Sequence, residues 1–249
     1  MLNQFIDLIQ NHRSIRHFED RRLTDEQIKA IVESAQSAAT SSFVQAYTII
    51  GVKDKEKKKK LAECSGNQHV ENNGHLLVFC ADLHRHELIA EMEKVDIYPA
   101  LETTETFMVA IIDAALAAQN AALAAEALGL GICYIGGLRN NLEEVSKVLN
   151  IPKFVIPLFG MTIGYPLNQS SQKPRLPFEH IYHEDEYQSD AAVLKKQLED
   201  YNKTIQQYYM ERTNGKRDDT WTSQMAVKFK VPTRTYMKDF VEKQGFNKK

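Results

Sequence analysis

Between His12 and His17 the chain reads His-Arg-Ser-Ile-Arg-His, so two arginines, two histidines and a serine share six residues. Guanidinium forks match phosphate oxygens, and a serine hydroxyl with loop N–H groups completes such a site. A solvated basic loop has the same composition, and the segment alone leaves both readings open. Other stretches offer polar donors: residues 37–42 (SAATSS), residues 65–69 (SGNQH), and the cation pair Lys173 and Arg175 around Pro174. Farther on, Arg212 and Arg217 flank Asn214-Gly215, on what reads as a polar, flexible loop. Covalent catalysis has no candidate, because there is no GxSxG and no Cys with an evident His partner. His84 with His86, and His180 with His183, lack further ligands at metal-site spacing, so no metal is expected.

These groups need a scaffold, and its centre is residues 104–128. Alanine dominates there, Gly and Pro are absent, and Thr103 or Thr104 is placed to cap a long helix. Apolar residues run almost all the way round, which predicts burial on most faces. Asp113, Gln119, Asn120 and Glu126 interrupt the run and argue against a membrane span. Small alanines allow close helix approach, so Ala118 and Ala121 are expected where this helix meets a second copy of itself. Gly129 and Gly131 end the helix, a short strand follows at residues 132–135, and Gly136-Gly137 close it.

Strands are also expected over residues 45–52, 75–81 and 154–163, the second a continuous apolar run buried on both faces. Amphipathic or capped helices are expected at residues 2–9, 24–36, 54–61, 141–149, 190–210 and 234–246. The KEKKKK run in the third of these reads as a solvated face. Beyond Tyr187 the chain turns polar and is too poor in apolar residues to fold alone, so it is expected to wrap a partner or cover a site.

Net charge −2 and pI near 6.5 argue against a nucleic-acid partner held by broad electrostatics. The first residues lack the pattern of a signal peptide, and Cys64, Cys80 and Cys133 read as reduced thiols in a cytoplasmic protein.

Several separated segments share one resemblance. HRSIRHF, SSFVQ, YIGGLRNN, IPLFGMTIGYP followed by KPRLP, and the stretch from Arg212 to Trp221 resemble, in order, the flavin-dependent nitroreductase family. The last two resemble its NADPH-preferring branch of nitroreductases and flavin reductases. The resemblance implies an α+β sandwich, a mostly antiparallel sheet flanked by helices, in an intertwined homodimer with FMN at the interface and the long helix central to it. It implies an FMN-binding core over residues 1–186 and an extension over 187–249 that wraps the partner and carries the NADPH segment. It assigns His12, Arg13, Ser14 and Arg16 to the flavin phosphate and ribityl chain, and Lys173 and Arg175 to a second cationic element. Ser41, Ser42, Gln68, Tyr134, Ile135, Gly136 and Gly137 match flavin contacts, and Arg212 and Arg217 match an NADPH clamp.

The function so implied is FMN-dependent NADPH oxidation, with hydride passing to nitroaromatics, quinones or flavins. The absence of a nucleophile or acid–base constellation suits chemistry carried by a cofactor. Two alternatives stay open: a disulfide or free-flavin reductase of the same fold, and a non-catalytic flavin-binding or storage protein.

Overall fold

A computed structural model of the protein describes residues 3–168 and 170–249. Its first compact unit comprises Met1–Ser170 and Arg234–Lys249, and its second Ser171–Thr233.

In the first unit four strands form one antiparallel sheet: β1 (Tyr47–Val52), β2 (His75–Asp82), β3 (Gly131–Ile135) and β4 (Val155–Gly164), in the order β1-β2-β4-β3. Around them lie α1 (Gln4–Gln10), α2 (Asp25–Gln36), α3 (Lys55–Ser65), α4 (His84–Glu93), α5 (Tyr98–Leu101), α6 (Thr104–Ala127) and α7 (Leu142–Leu149). The second unit holds α8 (Ala191–Arg212) and α9 (Trp221–Lys230), and the first closes with α10 (Met237–Gln244).

Every residue of β2 is buried, as the apolar run from Leu76 to Ala81 requires, and His75 and Asp82 at its ends are buried with it. Alternate side chains leave opposite faces of a strand. Leu77 and Phe79 pack with Ile31 and Ala35 of α2 and the alanines of α6. Leu76, Val78 and Cys80 pack with Leu61 of α3 and Val145 of α7. The sheet is therefore covered on both faces, the expected α+β sandwich.

Thr103 caps α6 by accepting from the Thr106 N–H at 3.2 Å. Ala110, Ala114, Ala117, Ala118, Ala121, Ala122 and Ala125 form one buried face, packed on α2 and the sheet. This corrects the expectation for Ala118 and Ala121: both face this subunit's own core rather than a second copy. Larger side chains at those positions would overpack the sandwich, at about 1–3 kcal/mol. The opposite stripe of α6, Met108, Ile112 and Leu116, is exposed. α6 is long and apolar enough to cross a membrane, yet its alanine face is sealed against protein.

Two further expectations change. Lys58, inside the basic run of α3, is buried rather than solvated. The first unit closes at Ser170, short of the expected 186, and reclaims α10, whose Phe240 and Val241 join Phe246 and Ala114 in its core. In the second unit, Tyr201, Ile205 and Tyr209 of α8 meet Leu176 and Trp221 in a small core of its own. α9 has no counterpart in the expected elements; its start is Thr220, which accepts from the Ser223 N–H at 3.2 Å.

His75 at the start of β2 is buried, and its Nε2 has no hydrogen-bond partner. Burial first, then the positive charges of Lys58 and Lys53, push its pKa from 6.5 down to about 4. Below pH 6.5 the unfolded chain takes up a proton at this ring and the folded one does not, so stability falls as pH drops toward 4. The loss at this site should total about 3 kcal/mol. His75→Leu should remove that part of the slope when urea midpoints are compared between pH 7 and 4.5; an unchanged slope would assign it to other groups.

Candidate functional site

The N-terminal segment is extended beside β3. Ser14 bridges Ile132 in parallel, and the Ile15 N–H donates to the Ile132 carbonyl at 2.8 Å. On the far side of the bridge, the Leu167 N–H donates to the His17 carbonyl and the Glu19 N–H to the Tyr165 carbonyl. Gly131 makes room for this, since a Cβ there would lie 2.6 Å from Ile15 Cγ1.

Alternation along the extended chain separates its cations. Arg13 and Ile15 line a shallow cleft with Glu126 and Gly129, and Arg13 Nε donates to the Asn11 carbonyl at 3.2 Å. Ser14 and Arg16 lie toward Cys133: burial raises the Cys133 thiol pKa, and Arg16 and the Ser14 hydrogen bond oppose the rise. The charge of Arg16 is also felt at His69. Burial pushes the His69 pKa down, and the charges of Arg16 and His17 add to this. His69 Nε2 is buried without a partner, next to exposed Gln68. A guanidinium and an unsatisfied imidazole nitrogen are groups suited to an anionic oxygen.

Gly137 brings the Gln68 loop to the end of β3. A Cβ at Gly137 would meet the Ser65 carbonyl at 2.3 Å and Asn67 Nδ2 at 2.7 Å, so the close approach is between two backbones of the protein itself. Gly136 opens a short helical turn, Gly136–Asn140, and lies under the Arg139 guanidinium. The Ile135 side chain is buried, which leaves only its backbone for a ligand. Tyr134 is more open, with its ring edge-on to Phe159 at 5.7 Å. Burial, with the negative charge of Glu126 adding, pushes the Tyr134 pKa up, so it stays a neutral phenol.

The loop carrying Ser41 and Ser42 is the strained part of the site. Ser42, Phe43 and Gln45 all have positive φ (47°, 59° and 54°), a region costly for residues with a Cβ. Asp113, fully buried on α6, accepts the Ser41 N–H at 2.9 Å on one carboxylate oxygen and the Ala46 N–H at 3.0 Å on the other. His86 Nε2 lies 2.8 Å from the Val44 carbonyl and ties the middle of the loop.

Asp113 is not alone. Gln119 Oε1 accepts from the Tyr134 hydroxyl at 3.4 Å, Asn120 Nδ2 donates to the Ser34 carbonyl at 3.1 Å, and Glu126 Oε1 is 2.6 Å from His12 Nδ1. The four polar residues that interrupt the apolar helix thus each reach a neighbouring segment. Sequence reasoning saw them only as an argument against a membrane; four polar residues in a buried helix were the available signal.

Of the remaining candidates, Lys173 and Arg175 belong to the second unit, in a cleft of about 410 Å³ also lined by Tyr201, Tyr209 and Trp221. The Tyr201 hydroxyl donates to the Pro174 carbonyl at 3.0 Å, and Lys173 Nζ lies 5.9 Å from the centre of the Tyr209 ring. Arg217 covers the Tyr209 ring at 4.2 Å and pairs with Asp219 at 2.6 Å. Arg212 is the last residue of α8 rather than a loop residue, and donates to the Tyr208 hydroxyl at 2.7 Å.

The sequence profile of the nitroreductase family matches residues 9–165, and that of the nitroreductase family C-terminal domain matches residues 173–249. The protein belongs to the nitroreductase family. Among its relatives, it is 54% identical over 248 residues to the FMN reductase (NADPH) of Bacillus subtilis strain 168, covering 99% of this chain and 100% of that one. It is 44% identical over 251 residues to an NADPH-dependent oxidoreductase of Staphylococcus haemolyticus, with both chains fully covered. Among solved structures, NfrA1 of B. megaterium is 65% identical with a TM-score of 0.98, over 99% of this chain and 100% of that chain. The NADPH:FMN oxidoreductase of Vibrio harveyi, complexed with NAD+, is 35% identical with a TM-score of 0.89, over 99% and 100%. The fold is accordingly that of the nitroreductases.

The Asp113 geometry has a direct consequence. Asp113→Asn sets an amide NH2 against one of two buried N–H donors, and should cost about 1–3 kcal/mol of stability. Because Phe43 is exposed in the loop so released, chymotrypsin should cut after it faster than in the wild type. Unchanged cleavage with unchanged stability would mean the loop holds its shape without the carboxylate.

Proposed function

We propose that the protein is an FMN-dependent NADPH oxidoreductase that passes hydride to electron-poor acceptors, among them nitroaromatics, quinones and flavins. The observation that carries the reading is the end-to-end match to the B. subtilis FMN reductase (NADPH), which also favours free flavin among the acceptors. The unsatisfied His69 nitrogen, which feels the positive charge of Arg16, fits a phosphate-bearing cofactor.

FMN, when bound, supplies the two-electron transfer itself. His12, Arg13, Ser14 and Arg16 would hold its phosphate and ribityl chain, and Lys173 and Arg175 would add positive charge. Ser41, Ser42 and Gln68 offer hydroxyl, amide and backbone donors to the ring, and the backbone of Tyr134, Ile135, Gly136 and Gly137 runs beside it. A cation among Arg16, Lys173 and Arg175 would supply positive charge to the ring's carbonyl edge. Arg212 and Arg217 clamp the 2′-phosphate of NADPH, for which Arg217 exchanges its Asp219 partner. The FMN-binding core of residues 1–186 takes in α10 as well, and the rest of the 187–249 extension wraps the partner subunit and carries this clamp.

The working unit is a homodimer. Met108, Ile112 and Leu116 on α6, with Phe5 and Ile9 of α1, leave a large apolar surface for a second copy. Three free cysteines fit a cytoplasmic setting.

Purified protein should be yellow, and should bleach when NADPH is added without oxygen. A yellow protein that NADPH leaves oxidised would support flavin storage instead. Arg212→Ala and Arg217→Ala should each lower kcat/KM for NADPH about tenfold, about 1.4 kcal/mol, while FMN content and the NADH rate hold. Variants that keep the full NADPH preference would move the 2′-phosphate contact elsewhere.

Ile112→Asp should yield monomers in sedimentation velocity, with loss of bound FMN. A dimer that survives this change would place the subunit contact on another face.

A further inference from the structure

The basic run of α3 does more than face solvent. Beside the first turns of α3 lies a cavity of about 360 Å³, the size of a small-molecule pocket, whose wall includes Arg21, Arg22, Lys53, Lys55 and Lys58. Glu19, Asp20 and Glu71 also line it. The cations are not equally engaged. Lys53 pairs with Asp25 at 2.7 Å, and Arg21 stacks over the Tyr165 ring at 3.9 Å.

Lys58 is the unusual member. It is only 6% exposed, and its ammonium donates to the Asn73 carbonyl at 3.2 Å and to Asn73 Oδ1 at 2.9 Å. Both acceptors are neutral, and among the described residues no carboxylate pairs with it. An ammonium has three donors, so one is left for a further acceptor. Burial, then the positive charges of Arg22 and Lys55, push its pKa from 10.5 down to about 8. The neighbours that act most on this buried amine therefore share its sign. A buried cation is costly unless an opposite charge offsets it, and an anion in the cavity would do so.

We propose that this cavity binds a phosphate-bearing small molecule, with Lys58 as its buried anchor and Arg22 and Lys55 as the flanking cations. The site is independent of the oxidoreductase reading. A doubly negative group would meet three cations at once, and the Asn73 amide holds Lys58 in place for it. Binding draws a proton onto Lys58, because the anion favours the charged amine.

The test is calorimetric titration of the FMN-saturated protein, so that the flavin phosphate site is already filled. The probes are inorganic phosphate, pyrophosphate and AMP at fixed ionic strength and pH 8.5. At least one should bind saturably, and its heat should differ between Tris and HEPES as a proton is taken up. Saturation by inorganic phosphate or pyrophosphate identifies free oxyanions as the ligand class; saturation by AMP alone identifies a nucleotide ester. The surface pair Arg22→Gln with Lys55→Gln should weaken binding at least tenfold without changing NADPH oxidation. Lys58→Met should abolish the proton uptake; if that variant does not fold, the surface pair alone decides. No saturable heat with any probe, or heat that survives the surface pair unchanged, would overturn the proposal.

Discussion

A carboxylate that pairs with no cation among the described residues, sealed inside an alanine helix, is the constraint on which the rest of the first unit turns. Asp113 has two oxygens and spends one on Ser41 and the other on Ala46, the two ends of a loop whose φ angles are unfavourable. Buried polar groups are costly unless satisfied, so helix and loop settle together or not at all. The strained run from Ser42 to Gln45 persists because its ends are fixed.

The same helix sets the spacing of the other parts. Asn120 reaches the end of α2, Gln119 the tip of β3, and Glu126 the N-terminal segment. These contacts leave one helix at intervals of about two turns, so the segments they hold are spaced by helical rise rather than by flexible linkers. Alanine fills the buried face of α6, with Asp113 among it. With no side chain beyond Cβ, α6 lies close on α2 and on the sheet, and the sheet in turn presents Gly131 to Ile15 and Gly137 to the Ser65 carbonyl. The site is thus built from close backbone approaches at one end and polar tethers at the other.

Much of this was legible in the sequence, for physical reasons that differ by element. All four strands and the long helix follow from local periodicity and punctuation, with edges displaced by a residue or two. The cationic segments were visible because guanidinium chemistry needs no tertiary context to be recognised. Burial was harder to read. Lys58 sits in a run that looks uniformly solvated, and only the packing of α3 on the sheet, with Asn73 opposite, shows that one lysine of the run turns inward. The alanine face was misread because a helix apolar on every side carries no signal of which side meets its own core. α9 escaped notice since its sequence, WTSQMAVKFK, has only a weak stripe and no buried residue. The division of labour between Arg13 and Arg16 depends on an extended conformation that the bridge to Ile132 imposes.

The return of α10 to the first unit bears on how the chain comes off the ribosome. Phe240, Val241 and Phe246 fill the core beside Ala110, Ala114, Leu142 and Ile156, yet they are translated after the whole second unit. Domains tend to fold N-terminal first during synthesis, but this one cannot close that part of its interior until α10, beyond the whole second unit, has emerged. Until then the nascent chain holds an open apolar trough along one end of α6, at the stage when chaperone capture or misassociation competes with folding.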